Sequence, residues 1–484
     1  MAYAHQIIYT SCRRGIESAG DGLQVFSYDG SLPEAGFDVG VGFHRLLPFD
    51  VPRWVGESSF GYTPVEGCGA VWATNTKLAH DYMGPGGRAG NVLRHAVAMP
   101  LEDLDFYPVG LAYADFWRHS MHFEEVNSEE PPLLLPMVEA EPSSVLEERE
   151  IRWSLTGVRE MEAAALLARA AVHAASAGRA IAILADAEEA LRWVALATYS
   201  LPLTLARQVS FVVGCDNLAT AGAALCGITQ SDFDAYTPGY MRASCLTFDP
   251  ASCQLEDPAG LLEPLDFEDD PLPREVPGAA FAQLVERGWR ELPEELERFR
   301  DLCERDLELN LDLVDMDAAV QVYVATRMGL YRAADPAATL AFIEQRGSDE
   351  LKREIAASAL ESLPKFDTTM QEAVVRFAMR CWRGFDMTGR RYLQTAISTM
   401  MTVEPNKTYA FLDVLARIAG QSEEADEAPS PHEMQQFLHG DPAAGQAAHP
   451  FACRQGGKAS GKKEHRPLFG GRGGFPFGKG KGKR

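Results

Sequence analysis

The sequence predicts an α+β multidomain protein. We expect a strand-rich N-terminal domain, an α/β middle domain, an all-helical C-terminal region and a disordered basic tail. Three observations lead to this prediction. With 484 residues the chain is too long for one ordinary core. Its apolar pattern changes along the chain from short strands to helical periodicity, and its Lys and Arg residues gather at the C-terminal end.

The N-terminal domain is expected over residues 1–127. Short apolar runs are separated there by Gly and Pro, and long 3.6-residue periodicities are scarce, which indicates a sheet. The predicted strands are Gln6–Thr10, Leu23–Tyr28, Ala70–Thr74, Lys77–Tyr82 and Val92–Met99.

The middle domain is expected over residues 144–254. Apolar residues from Val158 to Val172 recur at intervals of three and four, which predicts a helix ending at Gly178. The continuous apolar run Ala180–Asp186 fits a buried strand, and Asp186 with a Glu three positions later resembles a capping box that opens the next helix. A second strand is predicted at Gln208–Gly214. Alternating helices and strands indicate α/β organisation with some parallel pairing.

The acidic, Pro-rich stretch 255–278 is expected to link the middle domain to a helical region at 279–421. Short connections and scarce strands predict a helical bundle or a stacked array there. The predicted helices are Phe281–Leu292, Pro293–Leu311, Asp317–Tyr331, Ala337–Gln345, Glu350–Leu363, Thr368–Trp382, Gly389–Met401 and Lys407–Ile418. Residues 422–484 read as a disordered tail that is basic from Arg454.

Charge separates the tail from the rest of the chain. The residues from Arg454 onward carry +9, so the others together carry −33 to reach the total of −24. An acidic body repels nucleic acid, whereas the Lys/Arg/Gly/Phe tail has a composition that can bind a polyanion. The tail residues expected to do so are Lys462, Lys463, Arg466, Arg472, Lys479, Lys481, Lys483 and Arg484. The alternatives are that the tail folds back on the acidic body or only aids solubility.

Targeting and cysteine patterns predict a cytoplasmic protein without a membrane partner. The N-terminus lacks a basic stretch followed by a long apolar run, and no segment has the ~20 uninterrupted apolar residues of a membrane span. The nine Cys residues are scattered without CxxC pairs, which argues against a disulfide framework and a structural zinc site. We therefore expect no metal. His119 and His122, three residues apart, are a weak exception.

The Gly-rich stretch Gly84–Asn91 lacks the pattern of a P-loop or a dinucleotide fingerprint, so neither a cofactor nor NTP turnover is expected. The stretch does present Arg88 and Asn91, and His95 follows on the next strand. These residue types can bind a carboxylate or phosphate and transfer a proton. The alternative is a hairpin whose Asn91 bonds to backbone and whose His95 lies in the core. Cys12, beside two arginines, is a candidate nucleophile with His95 as its base.

Several segments together resemble a known family. They are Tyr9–Ser11, Gly22–Leu32, Gly86–Val97 and Asp105–Leu111 in the N-terminal region and Leu201–Gly214, with its LP…R…SF pattern, in the middle region. This order is similar to the N-terminal and middle domains of the GTPase-associated proteins of bacterial NTP-dependent conflict systems. The helical region and the tail take no part in the resemblance.

The resemblance implies a regulatory or scaffold protein that assembles with a separate GTPase and couples it to an effector. Tyr9, Arg88, Asn91 and His95 match recurring polar positions of that family, which implies a ligand- or partner-binding surface. Two other functions stay open at this point. One is an enzyme that uses an N-terminal Arg/Asn/His pocket on a nucleotide-like or peptide substrate, and the other is a nucleic-acid tether acting through the tail.

Overall fold

The computed structural model describes residues 2–17, 20–31, 58–65, 70–78, 91–265, 276–382, 387–403 and single positions between 408 and 418. Within these ranges the strands belong to one sheet of eleven, in the order β11-β10-β7-β9-β8-β3-β4-β5-β1-β2, with β6 paired to the start of β1. They are β1 (Ala2–Cys12), β2 (Gly22–Tyr28), β3 (Ser58–Val65), β4 (Ala70–Leu78), β5 (Val92–Pro100), β6 (Val138–Ala140), β7 (Ile181–Leu184), β8 (Phe211–Val213), β9 (Leu225–Ile228), β10 (Leu246–Asp249) and β11 (Gln254–Glu256).

The pairing mode changes along this sheet. The strands from the first hundred residues pair antiparallel. The strands β8, β9, β7 and β10 run parallel to one another, and this parallel group pairs antiparallel with β3 at one side and β11 at the other. After β11, the secondary-structure elements of the described residues are helices. The predicted fold class, with a strand-rich beginning, an α/β middle and a helical region, is confirmed.

The N-terminal strands differ from the prediction in two places. A single strand, β4, replaces the predicted pair Ala70–Thr74 and Lys77–Tyr82, whose last residues lie outside the described ones. The strand β3 was not predicted, since Gly61 and Pro64 both disfavour a strand when the sequence is considered locally. Its pairing with β4 on one side and β8 on the other compensates for that weak local preference.

The pairing of β3 with β8 joins the N-terminal and middle regions. Phe60, Gly61 and Tyr62 lie opposite Val213, Val212 and Phe211. The Tyr62 ring stacks on Phe211 with centroids 5.6 Å apart, and both side chains are fully buried. Residues 1–127 and 144–254 therefore share one sheet and a continuous core.

The helices of the described residues before 260 are α1 (Phe123–Val126), α2 (Glu148–Ser154), α3 (Val158–Ala177), α4 (Ala187–Tyr199), α5 (Leu203–Ala206), α6 (Leu218–Ala221), α7 (Gln230–Tyr236) and α8 (Gly239–Arg242). As predicted, α3 ends at Gly178, which has a left-handed φ of +62°. The Asp186 carboxylate caps α4 by accepting from Glu189 N at 2.9 Å. The Glu189 carboxylate instead accepts from Trp193 Nε1 at 2.7 Å, so only half of the predicted capping box forms.

A close approach between α4 and β9 fixes how this helix covers the sheet. A Cβ placed on Gly227 would lie 2.5 Å from the Cβ of Ala190 and 3.1 Å from Val213 Cγ1. Because real Cβ atoms do not approach so closely, only glycine allows this spacing.

The helical region matches the predicted run of helices: α9 (Ala279–Arg290), α10 (Pro293–Asp306), α11 (Leu313–Met328), α12 (Pro336–Arg346), α13 (Asp349–Glu361), α14 (Thr368–Cys381) and α15 (Met387–Val403). The predicted helix Lys407–Ile418 lies largely outside the described residues. The Ala-rich, buried face of α3 packs against α9, because small side chains let two helices approach closely. None of the described helices has the length and apolar character needed to span a membrane.

The end of the predicted linker is fixed at the start of α9. Arg169 of α3 donates to the carbonyl oxygens of Pro277 at 2.8 Å and Glu263 at 2.8 Å. Asp317 of α11 accepts from Gly278 N at 2.6 Å and Phe281 N at 2.9 Å, so a neighbouring helix supplies the cap that the sequence before α9 lacks. Residues 266–275 of this linker lie outside the described ones.

Candidate functional site

Three of the predicted site residues lie on or beside the paired strands β1 and β5. Their register places Tyr9 opposite Arg94 and Ile8 opposite His95, and Asn91 directly precedes β5. Arg88 lies outside the described residues. Since β5 is flanked by β4 and β1, these positions are in the interior of the sheet.

His95 is held on both ring nitrogens. Its Nδ1 accepts from the Arg118 backbone N–H at 3.0 Å, so Nε2 carries the proton and donates to Gln6 Oε1 at 3.0 Å. The ring meets Trp117 edge-on with centroids 5.1 Å apart. Burial, aided by the charges of Arg118 and His119, lowers the pKa of His95 to about 3. This imidazole is therefore neutral at physiological pH and ties the 117–118 turn to β1.

Asn91 also bonds to the protein. Its side chain is 4 % exposed, and its Oδ1 accepts from the Ser11 backbone N–H at 3.1 Å. Beside it, Thr10 Oγ1 donates to the Val92 carbonyl at 2.9 Å. Together these two bonds join the end of β1 to the beginning of β5.

Tyr9 is the most accessible of the three. It is half-buried, and the Arg94 guanidinium lies 5.9 Å from the centre of its ring. Burial raises the pKa of Tyr9 and outweighs the opposite effect of Arg94, so the phenol stays protonated. That Tyr9, Asn91 and His95 contact a ligand or partner stays a prediction. Tyr9 lies on the face of the sheet that carries Arg94, whereas His95 lies on the opposite face with Ile8, so the three side chains do not form one cluster.

The proposed pair of Cys12 with His95 does not form. Because Ile8 lies opposite His95, Cys12 is four residues further along β1, about 14 Å away. Burial raises the pKa of the Cys12 thiol to about 11 despite hydrogen bonds from Gln24 and the Arg14 backbone. A buried, protonated thiol at this distance from the imidazole is not a nucleophile activated by His95.

A second polar cluster was not predicted. His5 Nδ1 lies 2.8 Å from Asp29 Oδ2, and Ser31 Oγ donates to Asp29 Oδ1 at 2.9 Å. Ser31 Oγ lies 3.3 Å from the same His5 nitrogen. A nucleophilic serine needs the ring nitrogen opposite the carboxylate, so this cluster lacks the triad geometry. It fixes the end of β2 to β1, and only the three-dimensional pairing of the strands reveals it.

The segment with the LP…R…SF pattern is the place where three parts of the chain meet. We define the three-way junction as residues 199–207, from the end of α4 through α5. From the N-terminal half, Tyr107 Oη donates to the Leu201 carbonyl at 2.8 Å and Tyr62 Oη to the Arg207 carbonyl at 2.6 Å. From the helical region, Trp289 Nε1 donates to Ser200 Oγ at 2.9 Å.

Arg300 of α10 makes the strongest contact with the three-way junction. One guanidinium nitrogen donates to the Tyr199 carbonyl, and Nη2 contacts both carboxylate oxygens of Glu148 at 2.9 Å. The arginine is 9 % exposed, whereas the Glu148 side chain is 37 % exposed. Farther along the same helix, Glu304 Oε1 accepts from Thr204 N at 2.8 Å. The contacts that Arg300 and Glu304 make with Tyr199 and Thr204 of the three-way junction therefore set the position of α10 relative to the sheet.

Other sequence-derived candidates give no site. Among the described residues no group of three His, Cys, Asp or Glu side chains could hold a metal ion. Of the two histidines considered for a metal, His119 and His122, the second directly precedes α1. The His122 backbone N–H donates to Glu125 Oε2 at 3.2 Å. The basic residues from Lys462 to Arg484 lie outside the described residues.

Comparison with known families agrees with the resemblance. Residues 3–136 match the family model of the GTPase-associated protein 1 N-terminal domain type 2, and residues 152–252 match that of the GTPase-associated protein 1 middle domain. The predicted resemblance of the N-terminal and middle regions to domains of GTPase-associated proteins is confirmed. No curated protein and no solved structure is significantly similar to the chain.

Proposed function

From the premise that this chain contains the N-terminal type 2 and middle domains of GTPase-associated protein 1, we propose that it is a non-enzymatic regulatory scaffold. It binds a separate GTPase and couples the nucleotide state of that GTPase to an effector. The setting we propose is a prokaryotic conflict or anti-phage-type system, on the basis of the resemblance described above.

The N-terminal polar residues hold neighbouring parts of the protein together rather than perform chemistry. Both nitrogens of His95 are engaged inside the protein, and its low pKa removes it from proton transfer near neutral pH. The Cys12 thiol is buried and far from that ring. These observations weigh against an enzyme built on His95, although Arg88 is outside the described residues.

The observation that carries the proposal is the three-way junction. Tyr62 and Tyr107 hold it from the N-terminal half, while Trp289 and Arg300 hold it from the helical region. Buried hydrogen bonds of this kind permit few alternative arrangements, because each one lost leaves a polar group without a partner. A GTPase bound to either matched domain is thus connected to the helical region through a short, stiff path.

The test uses the full chain and the nucleotide-binding subunit that copurifies with it from its source cells. Binding is measured by calorimetry with the GTPase loaded with GDP and with a non-hydrolysable GTP analogue. Hydrogen exchange of α9 and α10 is then compared in the two complexes. We expect a stoichiometric complex, stronger with one nucleotide, and a change in exchange in these helices. Absence of a complex with either nucleotide contradicts the proposal.

A variant separates binding from coupling. Arg300→Met removes the buried one of the two contacts between α10 and the three-way junction and keeps the Glu304–Thr204 contact. No residue of the matched domains is changed, so the GTPase should still bind. The exchange response of α9 and α10 should weaken. Arg298→Met, on the exposed side of the same helix, should leave both binding and response unchanged. An undiminished response in Arg300→Met argues against the junction as the path.

A further inference from the structure

A cavity of about 850 Å³ lies in the helical region, between α12, α13, α14 and the start of α15. Three cationic side chains line it: Lys352 and Arg353 from the first turns of α13 and Arg380 from the end of α14. Two carboxylates, Glu344 and Asp349, are the anionic lining groups. The excess of cations is notable because the chain as a whole carries −24.

The cations differ in how far they are neutralised. Arg380 forms a two-point ion pair with Glu344, with Nη2 2.9 Å from Oε2. Arg353 Nε donates to the Asp349 carbonyl at 3.0 Å, and its terminal nitrogens have no acceptor among the described residues. The Lys352 ammonium makes neither a hydrogen bond nor an ion pair within that same set. Two cationic groups on adjacent residues of α13 therefore face the cavity with unused donors.

The wall of the cavity is aromatic and rigid. Trp382 is 7 % exposed and stacks on Tyr392 with an interplanar angle of 10° and centroids 5.7 Å apart. Phe377, from the preceding turn of α14, is buried behind it. These contacts restrict the Trp382 ring, so less side-chain entropy is lost there when a ligand binds.

We propose that this cavity binds a small anionic ligand bearing a phosphate or carboxylate group, with Lys352 and Arg353 as its principal donors. A lysine and an arginine that line the same cavity can donate to an anion with several acceptor oxygens. Among the described lining residues, Asp349 is the carboxylate without an ion pair, and it is exposed, where water and salt weaken its repulsion. Both matched domains end by residue 252, so the cavity lies outside the segments on which the proposed GTPase binding rests.

Cys381 provides a reporter inside the cavity. It is half-buried and lines the wall next to Trp382. Burial raises the pKa of its thiol to about 11, while Arg380 and Lys352 act in the opposite direction. The thiol is protonated at neutral pH, so its alkylation is slow, and a bound anion would slow it further by shielding Cys381.

The experiment titrates the full chain with inorganic phosphate and, separately, with succinate at constant ionic strength. Calorimetry reports affinity, and mass spectrometry reports N-ethylmaleimide labelling of Cys381 at each concentration. Lys352→Gln with Arg353→Gln neutralises the two donors at exposed or half-exposed positions. Arg376→Gln, which lies one turn before Arg380 on α14 and pairs with Glu372 outside the cavity, is the matched control. Thermal unfolding checks that each variant is folded.

We expect one anion to bind saturably and to slow labelling of Cys381 but not of Cys253. The double variant should weaken binding by about tenfold or more, as expected for losing a charge-assisted hydrogen bond. Arg376→Gln should bind as the unaltered chain does. Binding of phosphate alone assigns a phosphoryl ligand, and binding of succinate alone a carboxylate ligand. Two outcomes overturn the proposal: no saturable binding of either anion, or equal weakening in the double variant and in Arg376→Gln.

Discussion

The contact of Arg300 with the three-way junction allows a quantitative prediction. Arg300→Met keeps a flexible chain of similar length and removes the donors to the Tyr199 carbonyl and to Glu148. Leaving a buried carbonyl without its donor costs about 1–3 kcal/mol. The Glu148 side chain is 37 % exposed, so water can solvate its carboxylate once the ion pair is gone. Loss of that ion pair therefore adds at most about 1 kcal/mol to the destabilisation. We expect a total destabilisation of about 1–4 kcal/mol.

The assay is urea-induced unfolding of the full chain, combined with hydrogen exchange of the amides in residues 199–207. The variant should lower the urea midpoint and speed exchange in that segment. Arg298→Met is the control, because its guanidinium is 51 % exposed and pairs with Glu295 at 3.5 Å on the surface. Such a pair contributes under about 1 kcal/mol. If Arg300→Met and Arg298→Met have the same urea midpoint, Arg300 does not stabilise the three-way junction.

Three further predictions concern other parts of the chain. Because burial holds the pKa of His95 near 3, below its value in the unfolded chain, the neutral ring stabilises the fold above about pH 6.5. That contribution is lost as the pH falls toward 3. In urea unfolding at a series of pH values, His95→Gln should therefore lose less stability on acidification than the unaltered chain does. The exposed control His122→Asn should lose as much as the unaltered chain. Gly227→Ala should lower stability by about 1–3 kcal/mol in thermal unfolding, since its Cβ meets an atom at 2.5 Å. Gly157→Ala, with no atom within 4 Å, should be nearly neutral, and equal effects would refute the packing argument. Deleting 454–484 should abolish a salt-dependent association with DNA or RNA measured by fluorescence anisotropy, and unchanged binding would reject the tail as a tether.

Local signals identified the elements that carry strong periodicity or caps. The spacing of apolar residues predicted α3, Gly178 ended it, and Asp186 capped α4, because these features depend on neighbours in the sequence. The strands β9, β10 and β11 have only three or four residues each and were not predicted. They form because the neighbouring strands supply hydrogen-bond partners.

The candidate site depended on information that the sequence does not contain. The residue types at Asn91 and His95 fit either a binding turn or a satisfied core, and only burial and strand register give their hydrogen-bond partners. The unpredicted roles of His5 and Arg300 depend on partners at least 24 residues away along the chain. The cavity near Lys352 likewise combines four helices, so no single stretch of sequence marks it.

The central claim is that this chain acts by binding a GTPase. The most direct test measures the affinity of the purified full chain for its GTPase partner, loaded with GDP or with a GTP analogue. We predict a one-to-one complex whose dissociation constant differs about fivefold or more between GDP and the GTP analogue, the lower end of measurable coupling. Equal affinity in both states, no complex at all, or GTP hydrolysis by the chain on its own would contradict the account.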